Sequence, residues 1–194
     1  RRRNETFAVE RGAVSLRTEG ADGVGADEQL AAAAATARPL VRLSSLELPA
    51  AMDGALAAEA AAAAQVIAID MDNMAFVLER AVARAHAQPG VLVLAFCGRT
   101  HNPRVSAEGA EQMCLLAAAG RLRLVMPARD TKNAADFVMS FWMGWLHARA
   151  PPAARFALVS TDIHLERTVA DVLRREGRGV SVSERAMGDP FEVE

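Results

Sequence analysis

From Val66 onward the chain alternates two kinds of pattern. Short, largely apolar runs occupy 66–70, 91–96, 122–126 and 156–160, and Gly179-Val180-Ser181-Val182-Ser183 reads as a fifth strand. Between them lie longer stretches with helical spacing, at 75–87, 106–119, 133–148 and 165–176. Continuous apolar runs bounded by turn residues read as strands buried on both faces, and their alternation with helices predicts a parallel sheet covered on both sides. The punctuation agrees. Ser106 offers a hydroxyl cap, Gly120 and Gly177 are helix stops, and Pro151-Pro152 ends the long third helix. Right-handed crossovers leave few topologies. The expected fold is a flavodoxin-like three-layer α/β sheet of about five strands, with the first and fourth strands adjacent at the switch point, where ligands bind beyond the carboxyl ends of the strands.

Ahead of this lies an N-terminal extension, residues 1–64. Residues 1–30 are rich in Gly, Glu, Asp and Arg without a sustained period and read as an arm ordered, if at all, by a partner. The alanine-rich 28–64 admits short helices and, equally, a low-complexity linker. The domain proper is placed at 65–183, and 184–194 is read as a loose acidic tail.

Composition changes the picture in three ways. Hydrophobic residues make up 52% of the 194, but alanine inflates the figure, so the core is expected after Val66, where the large apolar residues concentrate. A net charge of -2, from 22 basic and 24 acidic residues, is no global nucleic-acid signature, so any RNA contact has to come from a local patch or a metal. Two cysteines, Cys97 and Cys114, make neither a disulfide framework nor a zinc site and read as reduced in an intracellular protein. No apolar run reaches the ~18 residues of a membrane span. The opening Arg1-Arg2-Arg3 without methionine reads as a trimmed chain, compatible with an organellar (mitochondrial) address or a cytoplasmic location, although Glu5, Glu10 and Glu19 weigh against the address.

The acids carry the candidate chemistry. Asp70 ends the first strand, Asp162 follows the fourth, Asp136 lies in the first turn of the helix after the third, and Glu166 is one helical turn beyond Asp162. If the first and fourth strands are neighbours, these carboxylates rim one pocket. Like charges so gathered raise one another's pKa, and a hard divalent ion, Mg²⁺ or Mn²⁺, relieves the repulsion through oxygen ligands. Such an ion activates water and stabilises charge on a phosphate. Asp72 and Asp130 read as solvent-facing loop acids. There is no G-x-x-x-x-G-K and no G-x-G-x-x-G to support nucleotide binding, and no nucleophile motif for a phosphatase.

The ordered motifs resemble PIN-like and NYN-type nuclease domains. Ile69-Asp70-Met71-Asp72-Asn73 resembles the IDxxN opening. Lys132-Asn133-Ala134-Ala135-Asp136-Phe137 resembles the K-N-A-x-D-F element of a bacterial PIN-like subgroup, and Ser160-Thr161-Asp162 resembles its S-x-D. The resemblance implies a metal-dependent RNA endonuclease with Asp70, Asp136 and Asp162 binding metal, Glu166 in support, and Asn73 and Ser160 as polar residues behind them. RNA is the implied partner, contacted by Arg99, His101, Lys132 and His164, and the family allows a homodimer. His164-Leu165 stands where the subgroup has Gly-Phe, and Thr161 where a Lys often precedes the third acid. Together with the extension, these departures favour the alternative: a catalytically weak or inactive PIN-like scaffold in a ribonucleoprotein complex, anchored to protein subunits through residues 1–64.

Overall fold

A computed structural model describes residues 39–46, 48, 54–98, 102–128, 133–182 and 191. Residues 1–38, the loop residues Arg99, His101, Asp130 and Lys132, the side chain of Glu166, and the tail apart from Phe191 lie outside them, with the expectations attached to them.

Among the described residues, seven strands and six α-helices follow in chain order. The strands are β1 (Leu40–Arg42), β2 (Gln65–Asp70), β3 (Val91–Phe96), β4 (Arg104–Ser106), β5 (Leu122–Val125), β6 (Arg155–Val159) and β7 (Val180–Val182). The helices are α1 (Gly54–Ala62), α2 (Met71–Met74), α3 (Leu78–Ala87), α4 (Ala107–Ala118), α5 (Ala134–His147) and α6 (Ile163–Arg175). All five expected strands and all four expected helices are present.

The main sheet is parallel, in the order β5-β3-β2-β6-β7. Counted within the sheet this is 3-2-1-4-5. The first and fourth strands are adjacent, as expected, and the winding reverses between them. A 2-1-3-4-5 order would have put the third strand in that place.

Both faces are covered because β2 and β3 are buried at every position. Alternation along the strands sends Ile67, Ile69, Val93 and Ala95 to one side, against α3 and α4. It sends Val66, Ala68, Leu92, Leu94 and Phe96 to the other, against α1, α5 and α6. Asp70 keeps step with Val66 and Ala68, so β2 presents its carboxylate on the α5–α6 side. The expected helix signals operate. The Ser106 hydroxyl accepts from Gly109 N–H at 3.0 Å to cap α4, and Gly120, with φ of 76°, ends it in a conformation that costs glycine nothing.

Three departures stand out. First, the compact body begins at Arg38, not at Gln65. Leu56 and Ala60, one turn apart on α1, are buried against the sheet, and β1 pairs antiparallel with β4 and leads into the buried Leu43. Second, the tail is anchored at one point. Phe191 is buried, its carbonyl accepts from Gln65 Nε2 at 2.7 Å, and the Arg84 guanidinium lies 5.9 Å from its ring centroid. Third, Phe76, Phe137 and Phe141, which fall in the stretches 75–87 and 133–148 of helical spacing, do not join the core. A 3-10 turn at Ala75–Val77 shifts Phe76 off the stripe formed by Leu78, Ala81, Val82 and Ala85. On α5 the core face belongs to Met139, Trp142, Met143 and Leu146, which leaves both phenylalanines outside. Trp142 is core, packed edge-on against Trp145 at 5.2 Å.

Arg178, just past α6, donates to the carbonyls of His147, Ala150 and Pro151 and to His147 Nδ1. It caps the negative end of α5, which accounts for it without RNA. Among the described residues no helix is long and apolar enough to cross a membrane.

Candidate metal centre at the carboxyl edge

Parallel strands put every strand's carboxyl end, and every following helix's amino end, on one edge of the sheet. At that edge β2 stops at Asp70, and the chain turns at once into α2. Ile69 pairs with Val159, so the next residues, Asp70 and Ser160, come side by side. Both are buried. The Ser160 hydroxyl donates to Asp70 Oδ2 at 2.8 Å, Asn73 Nδ2 donates to the same oxygen at 2.6 Å, and Asp72 N–H donates to Oδ1 at 3.1 Å. Three donors hold one buried carboxylate and fix its direction. The two polar residues expected behind the acids, Asn73 and Ser160, are the side chains that do this.

Asp70 opens into a cleft of about 190 Å³ whose walls include Asp72, Asn73, Gly98, Asn133 and Asp136. Asp136 arrives on the first turn of α5. Asn133, with φ of 61°, is the one non-glycine residue in the left-handed region among those described, a conformation asparagine tolerates, and it turns the chain into that helix.

Asp162 stands beside the cleft and is not part of its wall. Its N–H donates to Ser160 Oγ at 3.0 Å, while its Oδ1 accepts from His164 and Leu165 N–H to cap α6. Its charge nevertheless reaches Asp136. The Asp136 carboxyl is pushed up from the ordinary carboxylate range, first by burial and then by the charges of Asp70, Asp162 and Asp72. Of the expected site residues, the fold therefore gathers Asp70, Asn73, Asp136, Ser160 and Asp162 at one edge. His164 is exposed in the first turn of α6 on that same edge.

Asp72 was expected to be a solvent-facing loop acid. It is exposed, but it also walls the cleft, and its Oδ1 accepts from Gly98 N–H at 2.9 Å. Gly98 makes that approach available, since a Cβ there would lie 3.1 Å from Asp72 Oδ2. The signal for Asp72 was the D-x-D-N spacing itself, with two acids inside one tight turn. Below it, burial and the Asp72 charge push the Cys97 thiol up to about 11, so this sulfur stays protonated and is no nucleophile. Neither cysteine is in a disulfide.

The donor set is all oxygen and carries net negative charge, and no Lys or Arg among the described residues lines the cleft. That chemistry fits Mg²⁺ or Mn²⁺. Among the described residues no three acid, His or Cys side chains already stand at metal-binding spacing. Asp136 and Asp162 are half-buried and Asp72 is exposed.

The raised Asp136 pKa has a consequence for stability. The folded chain holds this proton more tightly than the unfolded one, so stability falls as pH rises through the window between the two pKa values. The α5 amino terminus opposes this by about 0.3–1 kcal/mol, but burial and three like charges outweigh it. Without divalent cations, Asp136→Asn is expected to raise Tm at neutral pH, by roughly 2–4 °C for each kcal/mol of repulsion relieved. The gain should vanish below the ordinary carboxylate range. Calorimetric scans across pH check this, and an unchanged or lower Tm at pH 7 would refute it. No protein-family model, curated protein or solved structure matches the chain.

Proposed function

We propose that the chain is a PIN-like, metal-dependent RNA endonuclease. The observation that carries this reading is the gathering of Asp70, Asp72 and Asp136 around one cleft at the switch point, with Asp162 near enough to press on the Asp136 proton. Asp70, Asp136 and Asp162 are the proposed ligands of Mg²⁺ or Mn²⁺, and Asp72 joins them as a further donor. When bound, the ion supplies an activated water and charge stabilisation for an in-line attack on phosphorus. The chain's own residues prepare for it. Ser160 and Asn73 orient Asp70, as groups behind a ligand do. Burial and the charges of Asp70, Asp162 and Asp72 oppose the Asp136 charge, an opposition a bound cation would relieve. Glu166 keeps the orienting role the resemblance gives it. The acids alone repel a phosphate backbone, so RNA binding at the cleft is tied to the cation.

A second reading has its own observation. Asp162 is already engaged in capping α6, and a PIN-like scaffold of a ribonucleoprotein complex needs no more of it than that. The segment ahead of Arg38 is then the part left to anchor protein subunits, and a homodimer and a cytoplasmic or organellar location belong to the same proposal.

Labelled single-stranded RNA, incubated with the protein in Mn²⁺, in EDTA, and with Asp136→Asn, separates the two. Cutting that needs metal and is lost in the variant supports the nuclease. No cutting across several RNAs, with no Mn²⁺-induced rise in Tm, leaves the scaffold.

A further inference from the structure

Eight large apolar side chains are exposed among the described residues, and four of them, Phe76, Met126, Phe137 and Ile163, lie at the carboxyl edge. Their positions follow from the topology. Phe76 stands where the chain leaves α2 for α3, Met126 is the first residue past β5, Phe137 is in the first turn of α5, and Ile163 opens α6. The two phenylalanines are the most exposed of the eight, each at 73%. Phe76 lies in the 3-10 turn that leads into α3 and Phe137 lies on α5, and these two helices pack on opposite faces of the sheet. Phe76 is three residues beyond Asn73, and Phe137 adjoins Asp136, both of which wall the acidic cleft. The edge thus has a charged centre and an apolar periphery.

That arrangement is the reverse of a protein–protein interface, whose core is apolar and depleted of charge and whose rim is polar. It suits a ligand with charge along its middle and flat apolar groups splayed to the sides. A single nucleic-acid strand is such a ligand, because its unpaired bases stack on aromatic rings while its phosphates follow positive charge. In a duplex the same faces are already stacked on one another.

We propose that the cleft takes a single nucleic-acid strand across the sheet edge, with bases stacked on Phe76 and Phe137 and the intervening phosphate on the carboxylate-held cation. This inference rests on the nuclease reading and adds to it the source of single-strand selection. Stacking reads no particular base, so sequence preference is weak and a DNA strand binds as an RNA strand does.

The test is fluorescence anisotropy on the full chain. The probes are a labelled RNA decamer, the DNA of the same sequence and the corresponding duplexes, all with Ca²⁺ in place of the catalytic ion. Both single strands are expected to bind at least tenfold tighter than the duplexes. Phe76→Ala and Phe137→Ala should each weaken single-strand binding about tenfold, and Phe→Trp at either site should retain it. Phe141→Ala, one turn further from the edge, should leave it unchanged. Because these side chains are exposed, the variants should keep the wild-type Tm and its Mn²⁺-induced rise. If that rise and metal-dependent cleavage persist while both alanine variants bind as tightly as wild type, or duplexes bind equally well, stacking is wrong and the nuclease stands. If wild type shows neither a rise nor binding, both readings fall. Self-association of wild type that the two variants abolish would assign the rim to a second protein and overturn the proposal.

Discussion

Asp70→Asn should lower stability by about 1–3 kcal/mol, the cost of a buried donor left without an acceptor, although it changes the side chain's shape hardly at all. Every group around this carboxylate is a donor. Oδ1 takes Asp72 N–H, and Oδ2 takes the Asn73 amide and the Ser160 hydroxyl. The hydroxyl oxygen already receives Asp162 N–H, and turning it to accept from an amide as well would cost its own proton this partner. An amide at position 70 has one donating end, and either orientation points it at a donor. The same substitution at Asp136 goes the other way at neutral pH, since there the charge is opposed by burial and by three neighbouring acids. Two isosteric changes in one cleft are thus expected to move Tm in opposite directions. Both should lower metal-dependent cleavage, by about 10²–10³-fold, as for loss of one preorganised electrostatic group. Denaturant unfolding and single-turnover cleavage of the two variants check this, and a shift of the same sign in both would contradict it.

Leu56→Ala is expected to cost about 2–5 kcal/mol, the range for deleting a buried leucine side chain and leaving a cavity. In a chain of this size that is a fall of Tm on the order of 5–15 °C. Leu56 is 1% exposed and packs in the cluster that includes Leu92, Trp142 and Phe156. Its neighbours on α1 are mostly alanines, which bury little surface each, so nothing else on the helix compensates. Leu115→Ala, on the exposed side of α4, supplies the contrast and should stay within about 0.5 kcal/mol. A Leu56→Ala variant as stable as wild type would mean that the body starts at Gln65 after all.

What the sequence disclosed follows from the physics of each element. The inner strands of the main sheet were legible because strands covered on both faces are apolar at successive positions, in runs too short for a helix. Adjacency of the first and fourth strands then carried Asp70 and Asp162 to one edge, and Asp136 followed from its place in a helix's first turn. The three-residue β1 and β4 were not legible. Each buries little, and they pair across more than 60 residues, as with Leu40 and Ser106. The α1 helix hid in alanine, with only Leu56 and Ala60 at helical spacing to betray a buried face. Asp72 depends on a tertiary bond to Gly98, 26 residues away, and the D-x-D-N spacing gives the type of residue without the contact. The outward turn of Phe76 required the 3-10 step before α3, and that of Phe137 and Phe141 required knowing which stripe of α5 meets the sheet.

The central claim is that these acids hold a divalent cation, and calorimetric titration of the full chain with Mn²⁺ at pH 7 and pH 5 tests it most directly. Saturable binding is expected at pH 7, weaker binding at pH 5 because a raised Asp136 pKa favours the proton over the ion as pH falls, and loss of binding when Asp70→Asn and Asp136→Asn are combined. Absence of saturable binding at pH 7, or equal binding by the double variant, would contradict it.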